Sequence, residues 1–247
     1  MVGTSGDGGV AQGEGGEPVT GVVAALHAEL GPLADGQPLS PGPLGTPIFE
    51  TRLDRGGRIV AVVAGVGKVA AASAAAALVA GGATRLLVVG TCGGLRAEER
   101  VGALIHATRA VQWDLAVRRG RELTADPELL EAWRAVADGA QGCILTADRP
   151  VIRFLHRLRV ARAAGRTYPG PLVADMEVAA VAAVASQAGI PWAALKVVSD
   201  QRPGWLAALR EARSGLQGFE EALAIHGARP AASVGRLCEE LARRVQA

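Results

Sequence analysis

The sequence predicts a single α/β domain, a three-layer αβα sandwich around a central mixed, mainly parallel sheet, and three observations carry that expectation. Short aliphatic runs alternate along the chain with Ala-rich or capped helical runs, the pattern of strands joined by helical crossovers. The 247 residues are enough to bury one sizeable core. Hydrophobic residues make up 49% of the chain while aromatics are only 3%, so the core is built from small aliphatic side chains that let helices lie close on a sheet.

Residues 1–18 are Gly-rich, lack the basic start and continuous apolar core of a signal peptide, and read as a disordered leader ahead of a domain over residues 19–247. Thr20 to Ala25 is a first buried strand that runs, past His27 and Glu29, into a Leu/Gly/Pro-rich loop. Arg58 to Ala64 is a second strand, ending at Gly65-Val66-Gly67. Lys68 to Ala80 is nearly all Ala with Val and Leu, a strong helix former with a flat face. Leu86 to Val89 is a third strand, expected to stop at Gly90-Thr91-Cys92-Gly93-Gly94, whose plain reading is a tight strand-to-helix turn.

Val101 to Val111 reads as a longer strand, and Asp126-Pro127 opens a capped helix to Ala137. Cys143 to Leu145 is a brief strand before Thr146-Ala147-Asp148. The stretch Arg153 to Arg166, with five Arg and one His, reads as a solvated helix face. Val178 to Ala188 is an Ala/Val helix stopped by Gly189-Ile190-Pro191, and Trp192 to Val198 is a strand ending at Ser199-Asp200. Beyond Arg202 the charges are mixed, and Ala232 to Val245 forms an amphipathic helix with Val234, Leu237, Leu241 and Val245 on one face.

Composition excludes several function classes. A formal net charge of +2, with both signs interspersed, gives no basic stripe for nucleic acid. The nearest approach to a membrane span, the Ala-rich run after Lys68, is short and closed by Gly81-Gly82, so no membrane partner is expected. Cys92, Cys143 and Cys238 are odd in number and widely spaced, which argues for a reducing cytoplasm rather than a disulfide framework. His27, His106 and His156 have no ligand spacing, so no metal is expected. Cys92 has no His beside it and reads as a packing residue. The G-x-G-x-x-G of a dinucleotide fold is missing after the first strand, and no cofactor is expected.

Chemistry-bearing residues gather where apolar strands stop, the places that form ligand crevices in α/β sheets. Glu29, Glu177 and Asp200 are carboxylates set amid apolar sequence, and burying them without partners is costly. Taken singly, each is equally well explained as a helix cap or an Arg partner; taken together they suggest a site.

Five segments resemble, in order and spacing, the 5′-methylthioadenosine/S-adenosylhomocysteine nucleosidases of the nucleoside phosphorylase superfamily: Gly21 to Glu29, Gly65 to Ala71, Gly90 to Leu95, Asp175-Met176-Glu177 with Ala179-Ala180, and Val198-Ser199-Asp200. They span most of residues 20–201. The resemblance implies a nucleoside phosphorylase-like fold, a homodimer with Trp113-Asp114 near the subunit contact, and a small-molecule nucleoside as partner. It implies hydrolysis of the N-glycosidic bond of a 5′-substituted adenosine, releasing adenine. Asp200 would protonate purine N7, steered by Ser199, and Glu29 would activate water.

In the same comparison Glu177 would grip the ribose hydroxyls with Met176 against the sugar. Val151 would offer its backbone to the base edge. Thr91 and Gly93 lie where phosphorylase relatives bind phosphate, and Lys196 stands where nucleosidases commonly carry Arg. Leu87, Val88 and Val89 replace the Arg that phosphorylases place before the Gly-rich segment, which favours water over phosphate as acceptor. A phosphorylase or a non-catalytic nucleoside-binding protein of the same fold are the competing readings. Arg149-Pro150-Val151 stands where the family usually stacks an aromatic on the purine, and residues 202–230 depart from its pattern.

Overall fold

The computed structural model describes residues 17–35, 38–41, 45–54, 56–117, 120–151, 154–200 and 228–245. The expected leader falls, up to residue 16, outside the described residues, as does 201–227 of the divergent segment. The strands are β1 (Val19–Ala24), β2 (Ser40–Pro41), β3 (Pro47–Arg52), β4 (Arg58–Val63), β5 (Ala83–Gly94), β6 (Leu104–Gln112), β7 (Glu122–Thr124), β8 (Ala140–Thr146), β9 (Leu172–Asp175) and β10 (Trp192–Asp200). The helices are α1 (His27–Leu30), α2 (Lys68–Ala80), α3 (Pro127–Val136), α4 (Phe154–Gly165), α5 (Val178–Ala188) and α6 (Ala228–Val245), with a 3-10 turn at Gly31–Ala34.

All ten strands join one mixed sheet with helices on both sides, the layered α/β arrangement the alternating runs imply. β5 occupies the centre, parallel to β1 on one side and to β10 on the other. Its side chains alternate between two cores with the period of two that a strand dictates. Leu86 and Val88 point to one core, with Ala71, Ala74 and Leu78 of α2 and Val178 to Ala185 of α5. Leu87 and Val89 point to the other, with Leu129 and Trp133 of α3 and Val234 and Leu237 of α6. Alanine on α2 and α5 lets these helices pack against each other and close to the strands. A third core, including Leu145, Val160, Ala164 and Leu172, seats α4 beside β8 and β9.

One expectation fails in an instructive way. The strand expected to end at Gly90 continues to Gly94. Gly93 is in register with Ala174 of antiparallel β9 and with Asp200 of parallel β10, so both neighbours take up the backbone groups of this glycine-rich stretch. Satisfying those groups outweighs the weak strand propensity of glycine. The pairings β5–β10, β10–β6, β6–β8, β8–β9 and β9–β5 close five strands into a ring, while β1, β4, β3 and β2 extend as an open flap. Ring closure brings the ends of β5, β9 and β10 to one place. No described helix is long and apolar enough to cross a membrane.

Candidate active site

A cavity of about 150 Å³ opens where β1, β5, β9 and β10 end. Its wall includes Glu29, Thr91, Cys92, Gly93, Val151, Arg157, Asp175, Met176, Glu177 and Ser199. Seven of the nine site residues that the sequence suggests are among these, and Lys196 and Asp200 are not.

Glu29 is buried at 2% exposure on the short helix α1, directly after β1. Its Oε1 accepts the Thr91 backbone N–H at 2.8 Å and the Thr91 hydroxyl at 2.9 Å. Its Oε2 accepts the N–H groups of Ala25 and Leu26, both at 3.0 Å. Four donors thus fix the carboxylate and offset its loss of water. Gly90 makes the approach possible: its φ is 146°, and a Cβ there would lie 2.8 Å from the Glu29 carboxyl carbon.

Glu177 precedes α5, and its Oε1 accepts the N–H of Gly67, the residue before α2, at 3.0 Å. Behind it lies Lys196 of β10, 1% exposed, with Nζ 3.2 Å from Asp175 Oδ2 and 3.6 Å from Glu177 Oε2. Asp175 also accepts the Thr146 hydroxyl at 2.6 Å and the Val178 N–H at 2.9 Å, and so ties β8, β9, β10 and α5 together. Burial pushes the Glu177 carboxyl above the ordinary carboxylate range, although Lys196 pulls it down. Burial also works to lower the Lys196 ammonium, but Asp175, then Glu177 and Glu29, outweigh it and hold it above its ordinary value. Lys196 is therefore a charged strut under the carboxylates.

The remaining sequence candidates are placed by the backbone and side chains described. Thr91 serves as a clamp on Glu29, and Gly93 lies on the wall between β9 and β10. Met176 lines the cavity, and its N–H donates to Glu177 Oε2 at 3.3 Å. The Ser199 hydroxyl donates to the Cys92 carbonyl at 3.2 Å. Asp200 closes β10 in register with Gly93, while its side chain lies outside the described set. Cys92 is a free, buried thiol, and burial raises its pKa, as befits packing rather than nucleophilic duty. Lys68 does not reach the cavity wall: its Nζ is 2.6 Å from Asp114 and 3.4 Å from Asp148. Among the described residues, no three His, Cys, Asp or Glu side chains converge as a metal site.

Two wall residues escaped the sequence reading. Asp175 was quoted only as part of a motif, and its anchoring of Lys196 depends on contacts remote in sequence. Arg157 belongs to the stretch read as a solvated face, yet it is 3% exposed and lines the cavity. Its Nε donates to the Val151 carbonyl, and Nη1 lies 3.5 Å from the Gly94 carbonyl. Arg157, Val160, Ala161 and Ala164 follow the spacing of one helix face, and all four are buried. That spacing was the available signal, masked by the exposed residues interleaved with it.

The model of the phosphorylase superfamily matches residues 19–237 of this chain. No curated protein sequence matches it. Among solved structures, it is similar to S-adenosylhomocysteine nucleosidase from Streptococcus pyogenes, solved with 5-methylthiotubericidin, at 23% identity and a TM-score of 0.76, covering 93% of this chain and 99% of that one. It is similar to 5′-methylthioadenosine/S-adenosylhomocysteine nucleosidase from Neisseria meningitidis at 22% identity and a TM-score of 0.75, covering 90% and 99%. It is also similar to futalosine hydrolase of Helicobacter pylori at 18% identity and a TM-score of 0.77, covering 90% and 98%. At these identities the likeness establishes the fold.

Two substitutions test the geometry. Gly90→Ala inserts a methyl group into the Glu29 carboxylate, and a displacement of that order costs about 100-fold in turnover of any substrate that uses Glu29; unchanged turnover would detach Glu29 from the chemistry. Lys196→Met leaves Asp175 and Glu177 buried without their cation, a loss of about 3–5 kcal/mol in urea unfolding at neutral pH. Because the folded-state pKa of Lys196 is raised, its stabilisation is fully present below the ordinary value of 10.5 and is lost as pH rises through the folded value. Unfolding measured against pH should show that alkaline loss in the parent chain and not in Lys196→Met.

Proposed function

We propose that this chain, which belongs to the phosphorylase superfamily, is a purine nucleosidase that hydrolyses the bond between the base and the ribosyl C1′. The observation that carries this reading is the position of Glu29. Thr91 offers a backbone N–H and a hydroxyl where a phosphate acceptor would need donors, and Glu29 accepts both. A phosphate dianion brought there would face a buried carboxylate, whereas a water molecule would find a base. Lys68, off the cavity wall, is engaged by Asp114 and Asp148.

In this reading Glu29 accepts a proton from water as its oxygen bonds to C1′. The C1′–N9 bond breaks, its electron pair passes to the purine, and Asp200 delivers a proton to N7. Glu177 accepts hydrogen bonds from the ribose hydroxyls, and Met176 packs against the sugar. The carboxylates also favour the positive charge that develops on the ribosyl ring, an interaction stronger in the transition state than in the bound substrate. Proton transfer at each end contributes roughly 10²–10⁴-fold. The similarity to nucleosidases of 5′-methylthioadenosine and S-adenosylhomocysteine makes 5′-substituted nucleosides the substrates to try first.

Chromatography of purified protein with 5′-methylthioadenosine, S-adenosylhomocysteine, adenosine and inosine, with and without phosphate, tests the reading. Free base released without phosphate is the expected result, and Asp200→Asn should lower it by at least about 100-fold. Release only in the presence of phosphate would make the chain a phosphorylase instead.

A further inference from the structure

Two carboxylates share the buried ammonium of Lys196, and they share it unequally. Nζ is 3.2 Å from Asp175 Oδ2, within hydrogen-bonding distance, and 3.6 Å from Glu177 Oε2, beyond it. Asp175 is itself held on both oxygens. Its Oδ1 accepts the Thr146 hydroxyl at 2.6 Å, and Thr146 Oγ1 in turn accepts the Ala179 N–H at 3.0 Å. Its Oδ2 accepts the Val178 N–H at 2.9 Å. Glu177 accepts only backbone N–H groups, from Gly67 at 3.0 Å and from Met176 at 3.3 Å. An ionised carboxylate has about four acceptor sites, so Glu177 keeps capacity for a ligand.

We propose that Asp175 is a positioning residue for the reaction: it draws Lys196 away from Glu177 and so leaves the Glu177 charge uncancelled beside the ribosyl ring. The proposal rests on the nucleosidase reading, in which Glu177 meets the sugar, and Asp175 acts through Lys196 rather than on the substrate. As the C1′–N9 bond breaks, the ring becomes positive, and a carboxylate beside it contributes most when no closer cation neutralises it. A Lys196–Glu177 pair alone would be neutral overall, whereas two carboxylates around one ammonium remain net negative. The charged groups facing Glu177 are Lys196 of β10, Asp175 of β9 and Glu29 of α1. The Cys92 thiol of β5 faces Lys196, Arg157 of α4 lines the same cavity, and Lys68 of α2 is turned to Asp114 and Asp148. Burial raises the Glu177 carboxyl above the ordinary range, Lys196 opposes that rise, and Asp175 and then Glu29 add to it. Asp175→Asn removes a like charge and leaves Glu177 as the ion-pair partner of Lys196. Both changes lower the pH at which Glu177 takes up a proton.

The test is Asp175→Asn in the full chain, with kcat and KM followed against pH on the nucleoside that the parent cleaves fastest, without phosphate. At neutral pH kcat should fall by about 10-fold with a smaller change in KM. The acid limb of kcat should move to lower pH, and Asp175→Glu, which keeps the charge, should bring it back. A crystal structure of Asp175→Asn should show Nζ closed to hydrogen-bonding distance of Glu177. An acid limb left at the parent's pH overturns the proposal, as does an Nζ that stays where it was or a loss confined to KM. Circular dichroism checks each fold; Asp175→Ser, a second neutral replacement, carries the same expectations should Asp175→Asn not fold. If no nucleoside is cleaved, the nucleosidase reading fails on its own, and carbon-13 NMR of the Glu177 carboxyl, assigned by its absence in Glu177→Gln, still judges Asp175. Protonation of that carboxyl at lower pH in Asp175→Asn than in the parent supports the assignment, and protonation at the same or higher pH refutes it.

Discussion

Burying three carboxylates in the wall of one small cavity is the constraint around which the surrounding strands are arranged, because each carboxylate taken from water must be repaid with donors or a cation. Glu29, Asp175 and Glu177 are 2%, 9% and 6% exposed. Glu29 is satisfied by four donors drawn from β5 and from the turn after β1. Asp175 and Glu177 share the buried ammonium of Lys196, which reaches them from β10. The ring closure of β5 with β9 and β10 brings these groups together, and the positive φ of Gly90 clears the space for Glu29. Fold and site are in this sense one arrangement: shifting β10 by one residue against β5 would turn Lys196 to the opposite face of the sheet.

The polarity of the cavity follows from the same arrangement. Backbone N–H groups suit carboxylates, and they are supplied by Thr91 within β5 and by Gly67 and Val178 at the starts of α2 and α5. The opposite end is bounded by carbonyls of Val151 and Gly94, which suit a donor, and Arg157 of α4 supplies it. The charges of the wall are therefore dictated by which backbone groups the topology leaves pointing inward.

Much of this was legible in the sequence. The limits of α2 and α5 follow directly from Ala-rich runs closed by glycine, and Asp126 caps α3 as its position before Pro127 implies. Glu29 and Glu177 stand out as carboxylates amid apolar sequence, Met176 comes with the family resemblance, and all three line one cavity. Short elements were not legible. β9 has four residues, all buried, and β7 has three, so neither carries a readable alternation. The continuation of β5 through Gly94 was hidden because it depends on partners that arrive from residues 172–175 and 192–200. Arg157 was hidden for a related reason: a guanidinium is indifferent to local helix propensity, and only the packing of α4 against β8 and β9 decides that it faces inward.

The central claim is that Glu29 directs water, and not phosphate, to the anomeric carbon. Its most direct test is to incubate the protein with a purine nucleoside in H₂¹⁸O buffered with phosphate and to determine the ribosyl product by mass spectrometry. The account predicts a free sugar carrying one ¹⁸O at C1 and no sugar phosphate. A ribosyl 1-phosphate free of ¹⁸O at that carbon would contradict it.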